Sequence, residues 1–224
     1  MPLLVVPIHE AYERELAALR TMLPAGAEPP PVALQNIQAR IRAARMWNWA
    51  NSEHALWLHT GNMSEKAMGY TTIGGDLEGG LSILSNVPKT VVLYLLDHLL
   101  DVTGLDGIRR TLATVAPDRS SLPTSLARGE LMPFPVLDTC FFLFASEKLT
   151  VAECREAVPP MFPSYPRETV DAWVVRFAAL FTRSIYKWVQ APLSLHVGQL
   201  DLDRERALQL PVVQKDEWGS ADPP

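Results

Sequence analysis

The residues best suited to chemistry lie between Thr60 and Lys89 of a 224-residue chain. Leu56-Trp57-Leu58-His59-Thr60-Gly61-Asn62-Met63-Ser64-Glu65-Lys66 runs from an apolar segment through a Thr-Gly-Asn turn into a segment of helical character. A glycine-rich run from Thr71 to Gly80 follows, and then Val87-Pro88-Lys89-Thr90. That order reads as strand, loop, helix start, loop. In an open α/β sheet, ligands bind outside the carboxyl ends of the strands, which is where Thr60 and Glu65 would fall. A helix beginning at Ser64 offers unpaired N–H groups and partial positive charge to an anion. Glu65, in its first turn, has two readings. One is a carboxylate answering the helix dipole; the other is an oxygen ligand to Mg²⁺, completed by phosphate and water. Lys89 opens another helix, where the dipole disfavours a cation, so it either points to water or serves a bound anion. Upstream, Asn36, Arg40, Arg42 and Arg45 stand off the apolar face of a helix. A solvated face is the ordinary reading of these arginines. A phosphate or carboxylate clamp is the sharper one, because arginine presents a planar fork of donors.

The elements that must position these groups follow from periodicity. Leu3 to Ile8 is a continuous apolar run and reads as a buried strand. His9 to Arg20 follows as a helix with Tyr12, Leu16 and Leu19 on one face. Pro24 to Pro31 reads as a mobile linker. Val32 to Asn51 is a helix whose apolar face is Leu34, Ile37, Ile41 and Ala44. Ala55 to Thr60 is a second strand, and Ser64 to Met68 a short helix. Thr71 to Gly80 cannot be regular, since its glycines permit positive φ and close backbone approach. Pro88 suits the first position of a helix with a broad stripe of Val91, Val92, Leu95, Leu96, Leu99 and Leu100, ended by Gly104. Gly107 to Thr114 is a short helix and Ala116 to Pro133 a long loop. Pro135 to Ala145 reads as an aromatic-rich helix, and Thr150 to Val158 as a short one. Pro166 to Gln190 is a long amphipathic helix carrying Val170, Trp173, Val174, Phe177, Phe181, Ile185 and Trp188 into the core or a subunit interface. In the tail, Leu202 to Arg206 and the terminal Asp-Pro-Pro read as surface.

Composition excludes several classes. A net charge of −5 with dispersed Lys and Arg lacks the basic stripe of a nucleic-acid surface. No apolar segment reaches a membrane span, and no basic n-region precedes the N-terminal apolar run. Cys140 and Cys154 form no C-x-x-C pair, so a reduced, cytoplasmic protein is expected. There is no Walker P-loop, no G-x-S-x-G and no H-E-x-x-H. His54 and His59 read as packing and not ligation. The residues by themselves define an α/β domain with an anion site near Thr60, Glu65 and Lys89.

Four segments together go further. Asn36-Ile37-Gln38-Ala39-Arg40, Thr60-Gly61-Asn62-Met63-Ser64-Glu65, Gly69-Tyr70-Thr71-Thr72 with Gly75-Asp76, and Pro88-Lys89-Thr90 resemble NAD⁺ synthetase in type, order and spacing. The similarity runs from about Val32 to Asp101 and continues more loosely to a last helix ending near Tyr186-Lys187. It implies a Rossmann-like fold of the adenine nucleotide α-hydrolase type, helix-rich towards its C-terminus. It also implies an AMP-forming ligase in which ATP adenylates the nicotinate carboxylate of deamido-NAD⁺ and ammonia then displaces AMP. By family position, Thr60 and Lys89 would contact ATP and Glu65 would ligate Mg²⁺. Asn36, Arg40, Tyr70, Thr71, Thr72, Ile73, Gly74 and Asp76 would line the deamido-NAD⁺ site, with His196 as the late basic residue.

The chain also departs from that pattern. The family's Ser-Gly-Gly-x-Asp-Ser phosphate loop does not occur in the 224 residues. Ile73 stands where ammonia-dependent members carry Lys, so the turn resembles the glutamine-dependent type, whose ammonia comes from a glutaminase domain. Residues 1–224 are therefore expected to form a single domain, the C-terminal part of a synthetase. It would act as a homodimer or with a partner chain carrying the missing half. The alternatives are an inactive remnant that binds deamido-NAD⁺ or nucleotide, and a partner subunit of an intact synthetase.

Overall fold

A computed structural model of the chain describes residues 3–114, 132–198, 200–202 and 210–212. They fall into two compact units. One holds the described residues within Met1–His59, Thr71–Ser82 and Gln190–Leu193. The other holds those within Thr60–Tyr70, Ile83–Val189 and Ser194–Pro224.

The first unit is built on two helices and a minimal sheet. α1 (His9–Met22) turns Leu16 inward, as its i, i+4, i+7 spacing predicts. α2 (Pro31–Ser52) has proline at its first position, where a missing N–H costs nothing. Its buried face is Ile37, Ala39, Ala43 and Ala50. The expected Ala44 is exposed, one residue off the buried stripe. Two residues of β1 (Leu58–His59) pair in parallel with β2 (Leu81–Ser82), in the register Leu58↔Leu81 and His59↔Ser82. The strand expected over Ala55 to Thr60 is therefore shorter, and β2 follows directly on the glycine-rich run. A ladder extends only as far as its partner runs alongside, and here Gly80 N–H to Trp57 O (2.8 Å) is the last such bond before β2 begins.

Leu3 to Ile8 is not a buried strand. The run pairs with no strand among the described residues, and Leu3 and Val5 are 88% and 80% exposed. A strand exists only through hydrogen bonds to a neighbour. The carbonyls of Val6 and Pro7 are taken instead by Arg45 Nη1, at 3.3 and 2.6 Å. Arg45 is thus a tether for the segment before α1.

The second unit is helical. It comprises α3 (Met63–Met68), α4 (Lys89–Thr103), α5 (Asp106–Thr114), α6 (Phe134–Phe141), α7 (Val151–Ala157) and α8 (Arg167–Trp188). The expected helix over Pro135 to Ala145 is α only to Phe141 and continues as a π-helical turn over Phe142–Ser146. Its aromatics pack on α8: Phe141 and Phe144 each meet Phe181 at 5.6 Å between ring centroids. Phe177 and Phe181, one turn apart on α8, stack at 5.5 Å. The aromatic stripe of α8 is core, as its spacing predicts. Thr150 caps α7 through a reciprocal capping box with Glu153.

Two sequence expectations fail in this unit. On α4 the only fully buried side chain is Leu93, while Val91, Leu95 and Leu99 are exposed. Neighbouring helices cover the side bearing Leu93, so the other half of the predicted stripe, Val92, Leu96 and Leu100, is only half-buried. Leu202, expected on the surface, is fully buried, and its N–H donates to Asn86 Oδ1. The remainder of that surface segment, the terminal Asp-Pro-Pro and nearly all of the loop from Ala116 to Pro133 lie outside the described residues.

Candidate functional site

In the first unit, the turn Thr71 to Asp76 is held to α2 by side chains the sequence singled out. Thr72 Oγ1–H donates to Asn36 Oδ1 (2.8 Å), and Arg40 Nε–H donates to the Ile73 carbonyl (3.1 Å). Asn36 and Arg40 are four apart and share one face of α2, so two consecutive turn residues are gripped by one helix. Gly74 follows with φ +74°. At Gly75 an added Cβ would stand 2.8 Å from Ala39 Cβ, closer than carbon atoms approach, so only glycine lets the turn lie this near α2. Arg40 keeps its guanidinium exposed, since only Nε is spent on the turn.

Asp76 divides its roles between backbone and side chain. Its carbonyl accepts from His59 Nε2 (2.7 Å), which fixes the tautomer, because a carbonyl can only accept. His59 Nδ1 is then the acceptor for Ser82 Oγ–H at 2.9 Å. His59 is a buried structural histidine, as the packing reading holds, and Asp76 is exposed.

In the second unit, the N-terminus of α3 is capped by its own side chains. Asn62 Oδ1 accepts from Glu65 N–H (3.1 Å), and Glu65 Oε2 accepts from Asn62 N–H (3.3 Å), closing a capping box. Met63 N–H donates to the Val87 carbonyl (3.0 Å). Of the donors expected to be unpaired at this helix start, those of Asn62, Met63 and Glu65 are taken by protein acceptors. Of the Glu65 carboxylate, Oε1 is directed to Lys89 Nζ at 3.8 Å. Lys89 also lies over the Phe134 ring, 5.7 Å from its centroid. Neither reading of Lys89 from sequence is complete: it is about a quarter exposed and faces a carboxylate and a ring. Thr60 is exposed, five residues before Glu65.

Sequence reasoning missed Ser64 and Asp138 as site-building residues. Ser64 Oγ–H donates to Asp138 Oδ1, and Ser64 Oγ accepts from Lys89 N–H at 2.8 Å. Asp138 Oδ2 accepts from Thr90 N–H (3.0 Å) and from Thr90 Oγ–H (2.8 Å). Burial pushes the Asp138 carboxyl above its usual range. The Ser64 and Thr90 hydrogen bonds and the Lys89 charge pull the other way. An aspartate within an otherwise apolar helical run was the available signal.

The other end of α3 is clamped by α8. Gly69 ends α3 at φ +67°, the left-handed cap that glycine adopts without penalty. Lys187 Nζ donates to the Gly69 carbonyl, and Trp188 Nε1–H to the Lys66 carbonyl (3.0 Å). Desolvation lowers the Lys187 pKa. Tyr70 packs against the aromatic core next to this cap. His196 Nδ1 lies 2.8 Å from Asp201 Oδ2. A carboxylate only accepts, so Nδ1 carries the proton and Nε2 is turned outward from a fully buried anchor.

No cluster of three or more His, Cys, Asp or Glu occurs among the described residues. Glu65, with one oxygen spent on Asn62 and the other open towards Lys89, fits a single ligand to a Mg²⁺ whose other ligands are phosphate and water. Cys140 and Cys154 are buried and unoxidised. Burial drives both thiols upward, away from reactivity.

The threonine–glycine–asparagine turn, the first-turn Glu and the helix-opening Pro-Lys-Thr all lie in a region that matches synthetases of the α/β class. Residues 4–158 match the NAD synthase family, and the chain belongs to it. It is 30% identical over 197 residues to a glutamine-dependent NAD(+) synthetase of Aquifex aeolicus, covering 84% of this chain and 31% of that protein. With the glutamine-dependent NAD(+) synthetase of Thermotoga maritima it shares 32% identity over 194 residues, covering 87% and 32%. The crystal structure of a glutamine-dependent NAD(+) synthetase from Cytophaga hutchinsonii superposes with a TM-score of 0.75 at 25% identity, covering 93% of this chain and 33% of that one. The chain thus spans about a third of the length of these relatives. The resemblance to the glutamine-dependent type, read from the turn around Ile73, agrees with them. Among the described residues no helix is long and apolar enough to cross a membrane.

Proposed function

We propose that the chain supplies part of the active site for ATP-dependent amidation of deamido-NAD⁺ to NAD⁺. The observation that carries this is the Glu65–Lys89 pair at 3.8 Å, a carboxylate and an ammonium held at the starts of two helices within a family-matched region. In the reaction, a nicotinate carboxylate oxygen attacks the α-phosphorus of ATP, the bond to pyrophosphate breaks, and ammonia then displaces AMP from the acyl carbon. Two polyanions meet, so the work is positioning and charge neutralisation.

Thr60 and Lys89 are assigned to ATP, with Lys89 holding the phosphates. Glu65 is the Mg²⁺ ligand, and the ion when bound supplies charge neutralisation for the phosphates. Asn36, Arg40, Tyr70, Thr71, Thr72, Ile73, Gly74 and Asp76 are assigned to deamido-NAD⁺. The grip of Asn36 and Arg40 on the turn supports this, since a preshaped turn costs less to order around a ligand. His196, with Nε2 outward, is assigned as its late contact. The nitrogen donor is free ammonia or ammonia derived from glutamine. A homodimer or a second polypeptide completes the site in a cytoplasmic enzyme of one synthetase domain.

The test is NAD⁺ formation from deamido-NAD⁺, ATP, Mg²⁺ and ammonium, with AMP followed in parallel. It is run on the chain alone and on the chain mixed with a polypeptide carrying the Ser-Gly-Gly-x-Asp-Ser loop. Turnover in either mixture that Glu65→Gln abolishes supports the assignment. Turnover indifferent to Glu65→Gln removes Glu65 as the ligand. Nucleotide binding without turnover in both mixtures leaves the binding remnant as the better reading.

A further inference from the structure

Resting on the reading of Lys89 as a phosphate-holding lysine, we propose that Asp138 is its positioning residue, closing the N-terminus of α4 from α6 and so setting where the Lys89 ammonium stands. α4 begins without a cap of its own, because Pro88 precedes it and has no side-chain acceptor. Its first donors are taken by residues distant in sequence. Lys89 N–H goes to Ser64 Oγ, Thr90 N–H and Oγ–H go to Asp138 Oδ2, and Ser64 Oγ–H goes to Asp138 Oδ1. One carboxylate therefore joins α3, α4 and α6.

Both carboxylate oxygens are used, in different directions, and this restricts the orientation of the first turn of α4. Lys89 leaves the backbone from that turn. Its side chain then crosses Phe134, which lies four residues before Asp138 on the same face of α6 and is 1% exposed. A single helix thus grips the start of α4 through Asp138 and lays a rigid ring along the Lys89 side chain through Phe134. The ammonium emerges beside Glu65 Oε1. The geometry also narrows how an anion is met here. The N–H groups of Lys89 and Thr90 are occupied by protein acceptors, so the first two backbone donors of this helix are spent and the lysine side chain is the group turned towards Glu65.

The experiment uses the full chain labelled with ¹³C at the lysine Cε atoms. The Lys89 signal is identified by its loss in Lys89→Arg, and the Phe134 ring moves it upfield. Asp138→Ala is expected to abolish that upfield shift. Asp138→Asn, which keeps an oxygen for Thr90 and an amide that can donate to Ser64, is expected to retain it. A merely structural aspartate would lower the melting temperature and leave the shift in place, so an unchanged Lys89 signal in folded Asp138→Ala overturns the proposal. If Asp138→Ala does not fold, Ser64→Ala decides in its place. It removes both Ser64 Oγ bonds, so the shift is expected to shrink, and an unchanged shift overturns the proposal. Titration with Mg²⁺–ATP separately tests the reading beneath it. A Lys89 signal that stays put while other signals report nucleotide binding removes the phosphate role, without touching the ring shift.

Discussion

In the helical unit one carboxylate joins three helices, while in the unit around α2 arginines from the helix hold neighbouring segments by their backbone carbonyls. In the former, Asp138 gathers donors from Ser64 and Thr90 beside a core of stacked aromatic rings. In the latter, Arg40 and Arg45 donate to carbonyls of Ile73, Val6 and Pro7, and the buried face of α2 is mostly alanine. The difference is one of burial. Large rings exclude water and make every unpaired polar atom costly, whereas a thin alanine face leaves water close at hand. Substitutions in the helical unit should therefore cost more stability than comparable ones around α2.

The largest effect is expected at Phe181, which is 1% exposed and meets Phe141, Phe144, Phe177 and Trp188. Phe181→Ala should lower the unfolding free energy by about 3–5 kcal/mol in urea titration. A loss under 1 kcal/mol would show that the rings are not a packed core. Asp138→Ala leaves the Ser64 and Thr90 donors without their acceptor and should cost roughly 2–3 kcal/mol. If it costs no more than the Thr72 variant below, the contrast between the units fails. Gly69→Ala combines a left-handed backbone with a Cβ 2.2 Å from Ser184 Oγ, and should cost about 1–3 kcal/mol. A Ser184→Gly background should relieve the steric share and leave the backbone share. Thr72→Val removes one partly buried hydrogen bond to Asn36 and should cost only about 0.5–1.5 kcal/mol. A larger loss would place the turn among the main supports of its unit.

The smallest effect concerns pH. The Asp138 carboxyl is raised above its ordinary value of 3.8 by burial. In the window above that value the folded chain holds more protons than the unfolded chain. The stabilising contribution is thus complete below the unfolded value and is lost as pH rises through the folded one. Asp138→Asn should flatten that decline in unfolding free energy measured across the acid range. A decline unaltered by the substitution would assign it to another group.

Much of this organisation can be read from residue order. The helix boundaries at Pro31, Pro88, Gly104 and Thr150 follow from cap chemistry that acts within a few residues. The aromatic face of α8 follows from helical periodicity. Asn36, Arg40 and the Thr72–Gly75 turn stand out through the resemblance to NAD⁺ synthetase. What escaped were features that depend on a distant partner. Leu3 to Ile8 has the composition of a strand and lacks the neighbour that would make it one. The stripe on α4 has the right period, and which of its residues are covered was decided by the helices beside it. Asp138 looked like a polar interruption of an apolar helix.

The sequence by itself determined the local signals: which segments turn helical, where they begin and end, which glycines bend, and which family the chain belongs to. Only the tertiary structure decided that Ser64 and Asp138 take the Lys89 and Thr90 donors at the start of α4, and that Lys89 rests on Phe134. The physical reason is range. Capping, propensity and periodicity act over a turn or two of chain, whereas an acceptor at residue 138 for a donor at residue 90 exists only once the fold has brought the two together.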